Sequence, residues 1–431
     1  MLNDYMGTTF NMPGISTFQA LSAASSTGTK NKTSKAKPAL IMTVFLVLNL
    51  AIQMLPGFVW AFHEGGVGYC EGCHVMHRPA EGQTRQTNDV ADSEHIAPKL
   101  RGSDPSSTCL RCHAAAGEYY NVMSKDGSSF TPAGDFYWLR KMFVWKADLK
   151  SYRSEGDKHG HNVVALDYGL NPDRVRSSAP GGVYPSAAMG CTSCHNPHGK
   201  ITCSGSERNA ISVSGSFKQP PSPKTTTGSF RLLGGKDYTA GGHSSGIRFE
   251  SPAPIAVASP ANWTETDTNH TAYGDGMSEW CSNCHPGFID GGRRHPVGKN
   301  ARLSSNIVTN YNAYIKTGDL EGTQAAAYLS IVPVELGITA RAALDPSNTS
   351  GPDAGGRAQV MCLTCHRPHA SAFQSAGRWD FEATFIAESH PKPGDGGVTG
   401  NDVRNSYYGR DMVADFGKYQ RQFCNKCHVL D

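Results

Sequence analysis

"CTSCHNPH", residues 191–198, sets two cysteines three positions apart, a histidine directly behind the second, and another histidine three positions further on. The pattern recurs. Twelve of the 13 cysteines fall into six Cys-x-x-Cys-His pentads: Cys70, Cys73 and His74; Cys109, Cys112 and His113; Cys191, Cys194 and His195; Cys281, Cys284 and His285; Cys362, Cys365 and His366; Cys424, Cys427 and His428. This is the attachment spacing of c-type haem. Two thiols add to the two vinyl groups on one porphyrin edge, and the next residue turns its imidazole under the iron, so each pentad is one chemical unit. Zinc knuckles and redox dithiols also use paired cysteines, but neither requires histidine after every second one. With 17 histidines in 431 residues, chance puts His at a given position with a frequency of roughly 0.04. Six in six excludes accident and, with it, a disulfide framework.

The second histidine of the opening segment has its own explanation. A haem iron takes its proximal imidazole from the pentad, and the sixth ligand decides whether the site carries electrons or binds substrate. Three histidines repeat the spacing: His77 behind His74, His198 behind His195, and His369 behind His366. A residue three positions past the proximal ligand leaves from the same face of its own haem. It is better placed to reach the neighbouring haem, which would bring two porphyrins close together. A hydrogen bond to a propionate is the alternative use of each. The three remaining distal ligands are expected from His63, just ahead of the first pentad, His161 in "KHGHN", and His295 in "RRHPVG", with His159 the rival of His161. His95, His243, His270 and His390 read as exposed or hydrogen-bonded residues rather than ligands.

Covalent haem loading takes place outside the cytoplasm, so the chain is expected to begin with an export signal. Lys30, Lys32, Lys35 and Lys37 form a basic stretch, "ALIMTVFLVLNLAIQML" (residues 39–55) an apolar core, and Val59 and Ala61 the small residues of a cleavage site. Cleavage is expected after Ala61, making residues 1–61 a leader that is removed. An uncleaved anchor is the alternative, since the apolar run approaches membrane-spanning length; Asn49, Gln53 and Pro56 weigh against it. Losing four lysines and Asp4 brings the formal charge from +3 to zero before haem is added. Nothing in this balance points to nucleic acid.

Residues 62–431 are expected to form a single elongated domain, mostly coil with a few short α-helices and minimal β structure, wrapped around a chain of six haems. The stretches at 204–230, 251–268, 345–356 and 391–401 are rich in Gly, Ser, Thr and Pro. Loops of that length are rare in a domain whose core is made of side chains alone, and six porphyrins would supply the missing apolar surface. Helical spacing is legible at 304–319, where Ile307, Tyr311 and Tyr314 align, in the alanine-rich 321–332, and at 413–428, which would carry the last pentad on its end. "DFYWLRKMFVW", residues 135–145, fits strand or helix equally well. Cys203 stands outside the pentads and reads as an intermolecular crosslink or an inert packed residue rather than a catalytic one.

The segments "FHEGGVGYCEGCHVMH" (62–77), "LGGKDY" (233–238), "YGDGMSEWCSNCH" (273–285), "GDLEGTQAAAYLS" (318–330), "CLTCHRPHAS" (362–371) and "YYGRDMVADFGKYQRQFCNKCH" (407–428) resemble the outer-surface hexahaem cytochrome S (OmcS) family. The resemblance spans essentially all of 62–431; the region before residue 62, the linker near 204–230 and Cys203 depart from it. It implies bis-histidine ligation at every haem, a mostly coil fold, haems stacked in alternating parallel and perpendicular pairs, and polymerisation into extracellular filaments. It also implies that His77 ligates the haem on Cys362, Cys365 and His366 of the adjacent protomer. The expected function is extracellular electron transfer, with the chain itself, upstream cytochromes and extracellular acceptors such as metal oxides as partners, on the outer surface of a Gram-negative-type bacterium. A monomeric multihaem shuttle is the second reading. A multihaem reductase is the third, and it needs an open iron position; six pentads ending in His, with distal candidates to spare, argue against it.

Overall fold

Two cysteines three positions apart share one side of a helical turn, and most of the pentads are built on such turns. The computed structural model describes residues 72–75, 99–114, 121–197, 230–241, 245–258, 264–289 and 295–428. These lie within one unit, Trp60–Asp431; the expected leader and its cleavage site fall outside the described residues. Helix α1 (Pro105–His113) carries the second pentad, α2 (Cys191–Cys194) the third, α3 (Met277–Cys281) the start of the fourth, and α5 (Cys362–Cys365) the fifth. The sixth sits on a 3₁₀ turn, Phe423–Lys426. Helix α1 is started by Asp104, whose carboxylate accepts the Ser107 N–H at 2.7 Å, with Pro105 in the first turn, where its missing N–H costs nothing.

The remaining helices among the described residues are α4 (Ser305–Ala313), α6 (Gly400–Ser406) and α7 (Met412–Phe416). Sheet is confined to three two-stranded antiparallel ribbons among the described residues: β1 (His74–Val75) with β2 (Lys99–Leu100), β3 (Met142–Ala147) with β4 (Lys150–Glu155), and β5 (Ile255–Ala258) with β6 (Thr271–Asp275). Asp148 and Leu149, both at positive φ (47° and 62°), close the β3–β4 hairpin, the backbone that a two-residue turn between right-twisted strands requires. The fold is thus mostly coil with short helices and little sheet, as the loop composition implied.

Leu110, Phe136, Trp138, Phe143, Tyr311, Trp379 and Phe423 are buried in the main apolar cluster; Tyr184, Phe249, Trp280 and Met361 anchor a second. The helix expected at 304–319 forms as α4, with Ser304 as its cap and Val308 and Tyr311 inward. Two expectations fail. Residues 321–332 make only a 3₁₀ turn, Gln324–Ala326: residues 323–326 are exposed and Leu329–Val332 are buried as a continuous run, so the apolar residues form one block along the chain and no stripe at helical spacing. The helix expected over 413–428 stops at Phe416, where Gly417 takes φ 92°, and the last pentad begins a separate turn. Residues 135–145 divide: Phe136–Arg140 is a 3₁₀ turn and β3 follows. The stretch 251–268, read as linker, contains β5.

Candidate haem-ligand site

The pentads adjoin one another in chain order. The sulfur of Cys109 adjoins those of Cys191 and Cys73, Cys194 adjoins Cys284, Cys281 adjoins Cys362, and Cys365 adjoins Cys424 and Cys427. A repeated bond joins two of these pairs: Ser106, three residues before Cys109, accepts the Cys191 N–H at 3.0 Å, and Ser278, three before Cys281, accepts the Cys362 N–H at 3.1 Å. The turns that follow are closed alike, by Ser193 Oγ on Gly190 N–H (2.9 Å) and by Thr364 Oγ1 on Met361 N–H (3.1 Å). Helix α1 therefore packs on α2 as α3 packs on α5.

Among the described residues, three pairs of histidine rings lie about 6 Å apart, tilted or edge-on to each other. His161 and His285 have ring centres 6.0 Å apart, His295 and His428 6.1 Å, and His195 and His369 6.4 Å. Two imidazoles bonded to one metal ion from opposite sides at about 2 Å each hold their ring centres about 6 Å apart. Each pair joins a pentad histidine to a distal candidate.

The ring nitrogens support the same use. Nδ1 of His195 lies 2.9 Å from the Arg231 carbonyl, that of His285 2.8 Å from Pro180 O, that of His366 2.7 Å from Ser375 O, that of His161 2.5 Å from Pro368 O, and that of His295 2.9 Å from Pro296 O. A carbonyl fixes the proton on Nδ1 and leaves the Nε2 lone pair for a metal, the outer-shell arrangement typical of ligating histidines. Burial pushes His161 down to about 4 and His369 to about 3, so both rings are neutral bases at neutral pH. The donor set fits haem.

His159 differs. It is fully buried, stacked on Phe143, and engaged at both nitrogens, by Ser154 Oγ at 2.7 Å and Trp138 O at 3.0 Å. His270 stacks on Tyr328 and bonds the Asn348 carbonyl; His390 stacks on Trp145 and bonds Asp395. Among the described residues no histidine is paired in this way with His366, which meets Phe381 edge-on. Cys70, His63, His77, His95, His198, Cys203 and His243 lie outside the described residues.

One backbone knot sets two of the pairs. His369 N–H donates to Ala133 O (2.7 Å), His161 N–H to His369 O (2.9 Å), Asp135 N–H to Ala370 O (3.0 Å) and Ser371 N–H to His159 O (3.0 Å). Chains approach so closely here that a Cβ on Gly134 would strike the Ala370 carbonyl and one on Gly160 the His369 carbonyl. His161 and His369 are thereby locked back to back, each facing a different pentad. No spacing rule announces the loops behind the proximal rings: Arg231 (φ 52°) and Ser375 (φ 58°) are non-glycine residues in the left-handed region, each followed by another, and each aims its carbonyl at a pentad histidine.

Beside the fifth pentad lies a buried charge cluster. Glu265 accepts from Arg367 Nη1 at 2.7 Å and from Arg378 Nη1 at 3.0 and 3.1 Å, and all three side chains are nearly or fully enclosed. Burial alone would raise the Glu265 carboxyl, but the two guanidiniums outweigh it and hold it below the ordinary carboxylate value.

Attachment pentads with opposed histidine pairs on a coil scaffold define a multihaem c-type cytochrome. No protein-family model matches the chain. It is 38% identical over 425 residues to the C-type cytochrome OmcS of Geobacter sulfurreducens, a match covering 88% of this chain and 97% of that protein. The solved Outer Membrane Cytochrome S Filament from Geobacter sulfurreducens superposes with a TM-score of 0.69 at 36% identity, and the OmcS nanowires from the same organism with 0.68 at 34%; each covers 86% of this chain and 100% of that one. The chain belongs to the OmcS family of c-type cytochromes, electron-transfer proteins with covalently bound haem.

Proposed function

We propose that this chain binds six haems, one per pentad, with two histidines on each iron, and polymerises into an extracellular filament that carries respiratory electrons to acceptors such as metal oxides. The observation that carries the reading is the set of three opposed histidine pairs. They follow one rule. His161 stands ahead of the third pentad and faces the fourth; His295 stands ahead of the fifth and faces the sixth; His369 belongs to the fifth and faces the third. The chain then reads as three tandem two-haem repeats, starting near His63, His161 and His295. By the same rule His63 serves His113, His198 serves His74, and His77 has no earlier repeat in its own chain to serve. It would close His366 of the adjacent protomer, so the filament junction continues the internal repeat. The homologous OmcS filament structures support that assembly.

Bound haem supplies a one-electron carrier whose iron stays six-coordinate in both oxidation states. The chain's own work is to orient the imidazoles through their Nδ1 carbonyls, to space the pentads through Ser106 and Ser278, and to exclude water through the aromatic clusters. Residues 62–431 form the functional domain after export and removal of 1–61, with upstream cytochromes as donors. Cryo-electron microscopy of the secreted, haem-loaded protein tests this: filaments with haem density continuing through each junction are expected. His77→Ala should abolish them and open one iron, and intact filaments with six low-spin haems in that variant would refute the shared ligand.

A further inference from the structure

The third and fifth pentads are near copies in backbone, yet the charge beside them differs in burial: Arg231, the cation acting on His195, is only partly enclosed, whereas the two beside the fifth pentad are buried. Asn196 follows His195, whereas Arg367 follows His366, and Arg367 shares the buried Glu265 with Arg378. Two guanidiniums and one carboxylate leave the cluster one positive charge in excess. The cluster is wired to the fifth pentad: Arg378 N–H donates to Cys365 O at 2.8 Å, and its Nε donates to Leu363 O at 2.7 Å, inside the Cys-x-x-Cys turn. Its charge acts on Cys365 and His366. Arg367 stacks at 3.8 Å over Tyr408 and donates to Pro132 O, so neither guanidinium is free to swing into water. A fixed charge in a medium of low polarisability acts strongly over short distances.

We propose that the Glu265–Arg367–Arg378 cluster raises the reduction potential of the haem on the fifth pentad above that of the haem on the third. The excess positive charge favours the ferrous iron, which carries one unit of charge less than the ferric. Arg367, Arg378 and Glu265 are positioning residues in this scheme and bind no iron. The inference rests on the six-haem reading above, and on that reading it places the raised potential at the haem adjoining the protomer junction.

The test is spectroelectrochemical titration of the haem-loaded, full-length secreted protein, following the visible haem bands. Arg367→Asn gives the fifth segment the residue found in the third and leaves a neutral Glu265–Arg378 pair. One-sixth of the absorbance change should move to lower potential while the rest stays in place. Glu265→Gln leaves two uncompensated guanidiniums and should move the same component upward; Arg367→Lys should restore the parent titration. Mere disruption of packing would shift Asn and Gln variants in the same direction, and that result, or no shift in either, overturns the proposal. Pyridine haemochrome stoichiometry on the same samples separates the two failures, since fewer than six haems in the parent protein would sink the six-haem reading instead. If Glu265→Gln fails to fold, the opposed behaviour of Arg367→Asn and Arg367→Lys still decides.

Discussion

The segments 191–198 and 362–369 are built alike and surrounded differently. Both open with a one-turn helix whose first N–H is held by a serine from the preceding pentad's helix, and both have the proximal Nδ1 held by the carbonyl of a left-handed residue. Around the second lies a buried ion cluster; beside the first stand Asn196 and the partly enclosed Arg231. The likeness lies in what places and orients the ring, the difference in what sets the field around it. Placement of the histidine rings in these two segments is therefore a property of the repeated backbone, and electrostatics a property of the non-repeated side chains.

The sharpest way to break the comparison is to remove a second histidine from each segment. His369→Ala should open the third iron and His198→Ala the first, each converting about one-sixth of the haem to a high-spin form in the oxidised spectrum. A high-spin signal from only one of the two would end the repeat rule. Next in size are the serines. Ser106→Ala and Ser278→Ala each strand a partly buried backbone N–H, and each should lower stability by about 1 kcal/mol, read as a shift of the unfolding midpoint in guanidinium. Equal losses would sharpen the likeness of the two joints; a loss at one alone would show that only that joint bears on the fold. Smallest are the left-handed residues. Arg231→Gly and Ser375→Gly relieve the Cβ clash while keeping the carbonyl, and after the unfolded-state entropy of glycine is subtracted each should gain about 0.5 kcal/mol. A loss instead would mean that the side chains, not the carbonyls, hold those loops.

The pentads are legible because covalent chemistry fixes their spacing within five residues, and coil was legible because Gly- and Pro-rich stretches hold little regular structure, although 251–268 still contains β5. Residues 321–332 were misread because alanine content reports helix propensity, which tertiary packing of the buried run Leu329–Val332 overrides. His159 and His161 are two residues apart and chemically identical. What separates them is Trp138 and Ser154 on one side and Pro368 on the other, groups up to 207 positions away along the chain.

By itself the sequence marked what is local: the six attachment pentads, the histidine expected to be proximal in each, the histidines left over, and that little of the chain is helix or sheet. Tertiary structure alone decided which spare histidine faces which pentad, the order in which pentads adjoin, and the placing of Glu265 between Arg367 and Arg378. The physical reason is range. A thioether pentad is complete within one helical turn, whereas an opposed pair such as His195 and His369 is made by backbone hydrogen bonds between segments far apart in the chain, and no local pattern encodes their meeting.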